Sequence, residues 1–150
     1  MEFTHWKTFS ISGEPKAQKR HRHRTIQPKD KRRKSFVQTY DPCSKEKEAF
    51  RTLAARFAPD RPFECPIRVA IHCFMPHAKT HIGTGKNAGK IKPSAPSLHI
   101  KKPDVDNLAK FVMDALTGLF WKDDSVIYSM HVVKSYSTDP MTVVAIDKVE

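Results

Sequence analysis

The sequence predicts an α+β fold in which two main helices cover one face of a mostly antiparallel or mixed sheet. Two observations lead to this class. The apolar spacing alternates along the chain between the period of strands and the period of helices, and the resulting order is β, α, β, α, β, β. The 150 residues, of which 39% are hydrophobic, fit a single domain over 1–150 with its own buried core.

Short runs rich in β-branched and aromatic residues predict the strands, which lie at 6–12, 67–75, 126–133 and 141–146. The first helix is predicted to begin at Ser44 and to end before Pro59. Its predicted buried face consists of Phe50, Leu53, Ala54 and Phe57.

The second helix is predicted to begin just after Pro103, because a proline disfavours helical backbone at the preceding residue. Asp104 then occupies the N-cap position. Helical spacing gives an apolar stripe made of Leu108, Phe111, Val112, Ala115, Leu116 and Leu119. Asp106, Lys110 and Asp114 recur every four residues on the opposite, polar face.

Two basic segments, about 14–41 and 77–101, are predicted to be surface loops because they contain prolines and show no apolar period. Within the first, residues 16–34 carry ten Lys or Arg and one Asp. Residues 79–102 carry six Lys and no acid, whereas residues 103–150 carry eight acids and four Lys. The cations and the acids are therefore partitioned along the chain.

The net charge of +11 indicates a polyanionic partner, with nucleic acid ahead of anionic lipid. No segment approaches the 18 apolar residues of a membrane span. The N-terminus lacks a basic region followed by an apolar region, so we expect no secretory signal and no membrane partner. Three cysteines without CxxC spacing argue against disulfides and for a reducing cytoplasm.

The aspartates around the second helix form a candidate metal site. Residues two apart point roughly 200° apart on a helix but the same way on extended chain. If Asp104 is extended, its carboxylate and that of Asp106 can converge, and Asp123 or Asp124 could add a third. Clustered carboxylates repel one another unless a cation lies between them, and Mg²⁺ prefers carboxylate, water and phosphate oxygens. Lys110 could position the attacking water or offset charge on the phosphorane.

The ordered set Lys-Pro-Asp-x-Asp-Asn-Leu-x-Lys at 102–110, Asp-Ala-Leu at 114–116 and Trp-x-Asp-Asp at 121–124 resembles the RusA family of small Holliday junction resolvases from bacteria and prophages. The resemblance implies a homodimeric, Mg²⁺-dependent endodeoxyribonuclease without a small-molecule cofactor. Such an enzyme cuts two opposing strands of a four-way DNA junction symmetrically, in DNA recombination and repair. By position, Asp104, Asp106 and Asp124 match the metal ligands, and Lys110 matches the catalytic lysine.

The positive charge near these motifs predicts the DNA-binding residues. They are Lys16, Lys19, Arg20, Arg22, Arg24, Lys31, Arg32, Arg33, Lys34, Lys101 and Lys102. Two other functions remain open at this point: a nucleic-acid binding module without catalysis, and the same nuclease chemistry on another branched DNA or on RNA. Simpler structural roles also remain open for single residues, with Asp114 as a supporting group, Asp123 as a turn residue and Trp121 as a core residue.

Overall fold

The computed structural model describes residues 3–149. The helices are α1 (Ser44–Ala54) and α2 (Val105–Leu116). The strands are β1 (Phe3–Ser12), β2 (Arg22–Ile26), β3 (Phe36–Tyr40), β4 (Ile67–Pro76), β5 (Ile127–Ser137) and β6 (Met141–Val149). The α+β class predicted from the sequence is confirmed.

The main sheet has four strands in the order β1-β6-β4-β5. β6 pairs antiparallel with both β1 and β4, whereas β5 pairs parallel with β4. The sheet is therefore mixed. The chain between β4 and β5 contains α2, which is the kind of crossover that a parallel pair requires. β5 and β6 follow each other in the sequence but are separated in space by β4.

The core lies between the helices and one face of the sheet. Every second residue of β4 is buried, as expected of a strand with one covered face: Ile67, Val69, Ile71, Cys73 and Met75. Five residues of the predicted α2 stripe are buried with them, and Leu119 is partly buried. The ring of Phe50 on α1 meets that of Phe111 on α2 edge-on at 5.7 Å.

The predicted buried face of α1 is wrong at one position. Phe50 and Ala54 are buried and Phe57 packs partly buried against the core. Leu53, in contrast, is 52% exposed. Regular α-helix ends at Ala54 and a tighter 3₁₀ turn follows at 55–57.

The segment 14–41 was predicted to be a loop, and this is wrong for its central part. β2 and β3 pair antiparallel and form a two-stranded sheet of their own. Both faces of this hairpin are largely exposed, so its sequence lacks the apolar alternation by which a strand is normally recognised. The second predicted loop, 77–101, contains only two short 3₁₀ turns and isolated bridges.

The three cysteines are free, as expected, and Cys43 and Cys73 are buried. Within residues 3–149, no helix is long and apolar enough to cross a membrane.

Candidate active site

The start of α2 presents two carboxylates. Asp104 is the N-cap residue and has extended backbone, with φ −72° and ψ 151°, as the proposed convergence with Asp106 requires at this residue. Its side chain does not cap the helix, and Asp106 follows in the first turn. Both residues are exposed. Among residues 3–149, neither carboxylate has a hydrogen-bond or ion-pair partner, which leaves both available to a ligand.

The chain entering α2 is held by a lysine of β5. Lys134 Nζ donates to the carbonyl oxygens of Lys101 at 2.5 Å and Pro103 at 2.6 Å. These two bonds fix the backbone on both sides of Lys102 directly before Asp104. No sequence pattern predicts this role, since the predicted strand ended at 133 and the partners are backbone atoms.

A cleft of about 780 Å³ lies between the start of α2 and the first basic residues of the chain. One wall carries Asp104, Asn107 and Lys102, and the other is residues 15–20. The Gln18 N–H donates to the carbonyl oxygen of Asn107 at 2.9 Å, so the basic wall is bonded directly to α2. Among the residues lining the cleft, Lys16, Lys19 and Arg20 are exposed cations. A phosphate backbone in this cleft would meet these cations on one side and Asp104 beside Lys102 on the other.

Below the cleft, charged side chains form a chain of contacts from Lys110 to the basic wall. Lys110 pairs with Asp114 one turn later at 3.0 Å. Asp114 also pairs with Lys47 of α1 at 3.3 Å, and Lys47 pairs with Asp41. Asp41 accepts a hydrogen bond from the side chain of Gln18 at 2.9 Å. Asp114 is therefore the residue that orients Lys110, in agreement with a supporting role.

The electrostatics of this chain favour its charged form. Burial alone would raise the pKa of Asp41, but hydrogen bonds from Lys47, the Cys43 N–H and Gln18 outweigh it and lower the pKa to about 2. Burial likewise opposes the charge of Lys47, and its hydrogen bonds to Asp41 and Asp114 raise its pKa above the usual value. Sequence reasoning missed Asp41 and Lys47, because the partners that join them to the basic wall and to α2, Gln18 and Asp114, are distant along the chain.

Asp124 is held in one orientation after α2. Its Oδ1 accepts hydrogen bonds from Thr117 Oγ1 at 2.6 Å and from Trp121 Nε1 at 2.9 Å. Trp121 is fully buried in the core, which confirms its structural role. The neighbouring Asp123 is exposed and accepts from the Ser125 N–H at 2.9 Å, and the hydrogen bonds with Ser125 lower its pKa. Asp123 is thus a turn residue.

Comparison with protein families gives one decisive match. The model of the family described as endodeoxyribonuclease RusA matches residues 12–147. The chain belongs to the RusA family. The matched range includes both walls of the cleft and the whole charged chain beneath it. Membership of an endodeoxyribonuclease family supports nuclease activity and a DNA partner.

A relative from Bacillus subtilis (strain 168) matches almost end to end. It is named "Uncharacterized protein YqaN" and is 30% identical over 148 residues, which cover 94% of this chain and 95% of the relative.

The donor atoms of this RusA-family site suit a hard divalent cation. Asp104 and Asp106 offer unpartnered carboxylates, and Asp124 is oriented through one oxygen only. Among residues 3–149, no three His, Cys, Asp or Glu side chains lie together in a group that could hold a metal ion, so Asp104, Asp106 and Asp124 do not form a complete metal cage in this structure. Mg²⁺ does not require one, since it commonly uses one or two carboxylates and takes its other ligands from water and substrate phosphate.

The cations predicted to bind DNA fall into three groups, all exposed. Lys16, Lys19, Arg20 and Lys102 line the cleft. Lys101 lies beside it, in the segment held by Lys134. The others belong to the hairpin: Arg22 and Arg24 on β2, and Lys31, Arg32, Arg33 and Lys34 in the turn between β2 and β3.

Proposed function

We propose that this RusA-family protein is a Mg²⁺-dependent endodeoxyribonuclease that resolves four-way DNA junctions by paired, symmetric phosphodiester hydrolysis. The observation that carries the proposal is the cleft at the start of α2. Asp104 lines it without a partner, Asp106 follows two residues later, and Lys16, Lys19 and Arg20 lie on the opposite wall. A pure DNA-binding protein gains nothing from carboxylates placed toward phosphate.

The proposed metal ligands are Asp104, Asp106 and Asp124, and the substrate phosphate would complete the set. A bound Mg²⁺ supplies Lewis-acid activation of water and of the scissile phosphate. The chain's own part is to place the DNA: the cations of the cleft grip the backbone, and the helix N-terminus adds a favourable field for a phosphate. Thr117 and Trp121 keep Asp124 from rotating away.

Lys110 is the proposed catalytic lysine. At rest its ammonium group is held by Asp114 at 3.0 Å, one turn after Asp106. From there it offsets negative charge that develops on the phosphorane, or positions the attacking water. Asp114, itself paired with Lys47, restricts where the Lys110 ammonium group can lie.

A junction cut at two symmetric positions requires two active sites, and the motifs of one chain supply one set of site residues. We therefore propose a homodimer with twofold symmetry, matching the symmetry of the substrate. Because four-way junctions arise in DNA recombination and repair, we propose that the protein acts in these processes, in the cytoplasm. Each protomer acts as one domain, because the proposed ligands and the cleft belong to a single set of packed elements.

The direct test is cleavage of an end-labelled synthetic four-way junction in Mg²⁺ and in EDTA, with a linear duplex and a flap as comparison substrates. We expect paired symmetric nicks in the junction in Mg²⁺ only, and an intact duplex. Asp104→Asn and Asp106→Asn should each lower the cleavage rate about 10²-fold or more, since loss of a metal ligand removes several kcal/mol of transition-state stabilisation. Junction affinity in EDTA should not change.

The other outcomes discriminate between functions. Tight junction binding without cuts would contradict catalysis and identify a binding protein. Equal cleavage of junction and flap would retain the chemistry but reject the four-way substrate. Wild-type turnover in either aspartate variant would remove that residue from the ligand set.

A further inference from the structure

The β2–β3 hairpin carries an exposed face that holds both aromatic and arginine side chains. Residues opposite each other in an antiparallel pair point to the same side. The register places Arg22 opposite Tyr40, Arg24 opposite Gln38 and Ile26 opposite Phe36 on one face. The other face holds the pairs His23–Thr39 and Thr25–Val37.

The aromatic rings on the first face are open to solvent. Phe36 is 54% exposed and Tyr40 is 38% exposed. Arg24 is oriented between them: its Nε donates to Gln38 Oε1 at 2.9 Å, and its guanidinium carbon lies 5.6 Å from the centroid of the Tyr40 ring. Exposing large apolar rings to water is unfavourable, and exposed apolar patches mark interaction sites.

Charge decides what this face can bind. Residues 22–40 carry seven Lys or Arg and one Asp. Five of these cations (Lys29, Lys31, Arg32, Arg33 and Lys34) lie in the turn next to Phe36. A second copy of the hairpin would bring like charges together, which opposes self-association through this face. A polyanion with accessible flat rings fits both the cations and the aromatic side chains.

We propose that this face is a stacking surface for unpaired nucleobases of DNA, with Phe36 and Tyr40 as the platforms. Bases inside a duplex have both faces covered by their neighbours, whereas a single strand or a branch point exposes them. The hairpin therefore provides selectivity for branched over linear DNA, while the cleft at α2 provides the chemistry. This inference rests on the proposed function only in taking DNA as the polyanion.

The test uses the full chain in EDTA and three DNA probes that each contain 2-aminopurine, whose fluorescence reports stacking. The probes are a single-stranded oligonucleotide, a four-way junction labelled at the branch point, and a linear duplex. Phe36→Ala should weaken binding of the single strand and the junction roughly 5- to 100-fold, the range for loss of one stacked base. Affinity for the duplex and the salt dependence should stay unchanged, because no phosphate contact is lost.

Val37→Ala is the matched control, since Val37 is 65% exposed on the opposite face of the same strand. It should leave all three affinities and the 2-aminopurine signal at the wild-type level. Phe36→Tyr keeps an aromatic ring and should restore binding, which also guards against a hairpin that merely misfolds.

Three results would overturn the inference. They are an equal loss for duplex and single strand in Phe36→Ala, an equal effect of Val37→Ala, or a change of sedimentation coefficient in Phe36→Ala that identifies a second copy as the occupant. The proposed function fails separately. If the wild-type chain never cuts the junction but Phe36→Ala weakens binding as expected, the stacking surface is still supported. If the chain cuts the junction but Phe36→Ala has no such effect, only the stacking surface is rejected.

Discussion

The start of α2 and the β2–β3 hairpin are both exposed to solvent, yet they are built differently. The start of α2 contacts three other parts of the chain. Hydrogen bonds join it to Lys134 of β5 and to Gln18 of the basic wall, and Leu108 is fully buried in the core. Within residues 3–149, β2 and β3 pair with each other and with no other strand, and a two-stranded sheet contributes little stability alone.

This difference matches two tasks. Hydrolysis requires carboxylates and phosphate held within a fraction of an ångström, which supported elements on a packed core provide. Recognition of a branched substrate requires reach and adaptability, which an exposed hairpin provides. Substitutions at α2 should therefore change the rate of cleavage, and substitutions in the hairpin should change affinity.

The largest difference in cleavage rate is expected between variants of the two adjacent aspartates after α2. Asp124→Asn removes the charge of a proposed metal ligand, and the cleavage rate should fall about 10²-fold or more. Asp123→Asn can still accept the hydrogen bond from the Ser125 N–H and should cut at the wild-type rate. Single-turnover cleavage of the junction, with binding in EDTA measured alongside, checks both variants.

If the two variants lose activity equally, Asp124 has no special role and the third ligand must lie elsewhere. Loss of junction affinity in Asp124→Asn would also contradict the comparison, because it would show that the α2 region controls binding.

The second effect belongs to the turn of the hairpin. Replacing Lys31, Arg32, Arg33 and Lys34 together by Gln should weaken junction binding and reduce the salt dependence of log K. Four phosphate contacts account for a change in slope of up to about 3.6, since each contributes about 0.9. Binding titrations at several salt concentrations measure the slope, and the cleavage rate at saturating protein should remain that of the wild type.

An unchanged slope would show that the turn does not touch DNA, and the cations of the cleft would then account for binding. A lower rate at saturation would show instead that the hairpin helps to align the scissile phosphate, which would weaken the division between rate and affinity.

The same two regions show what the sequence could and could not predict. The second helix was found nearly in full because its apolar stripe repeats at helical spacing, and Asp104 was correctly placed at its first turn. The hairpin was missed because both of its faces are largely exposed, so its apolar residues do not alternate as they do in a half-buried strand. The support around the site was missed as well: Lys134, Asp41 and Lys47 act through contacts with residues far along the chain, which no local pattern records.

The assignments that depended on ordered motifs were more secure than those that depended on burial. The spaced Asp, Lys and Trp residues of 102–124 led to the RusA family, and the family match over 12–147 confirms that membership. Leu53, in contrast, sits at a helical core spacing and is exposed, because α1 meets α2 through Phe50 and turns Leu53 outward. Periodicity indicates which face is apolar, and tertiary packing decides how much of that face is covered.

The third effect tests the support of the α2 segment. Lys134→Met removes both hydrogen bonds to the backbone before Asp104, and the cleavage rate should fall about 10- to 100-fold, as for partners that orient metal ligands. Lys122→Met is the matched control, since Lys122 pairs only with the exposed Glu64. Wild-type turnover of Lys134→Met, measured with saturating junction, would mean that the segment is held well enough by α2 itself.

The smallest effect concerns Asp41, which joins the basic wall to α1. Because its folded pKa is about 2 and the ordinary value is 3.8, its charged form stabilises the fold above about pH 4. This contribution is lost as the pH falls from 4 toward 2. Asp41→Asn should lower the free energy of unfolding on the order of 1–2 kcal/mol at pH 7, and urea titrations should show the difference from wild type shrinking across that window. A constant difference down to pH 2 would mean that Asp41 acts through shape and neutral hydrogen bonds, and that charge does not hold the basic wall against the helices.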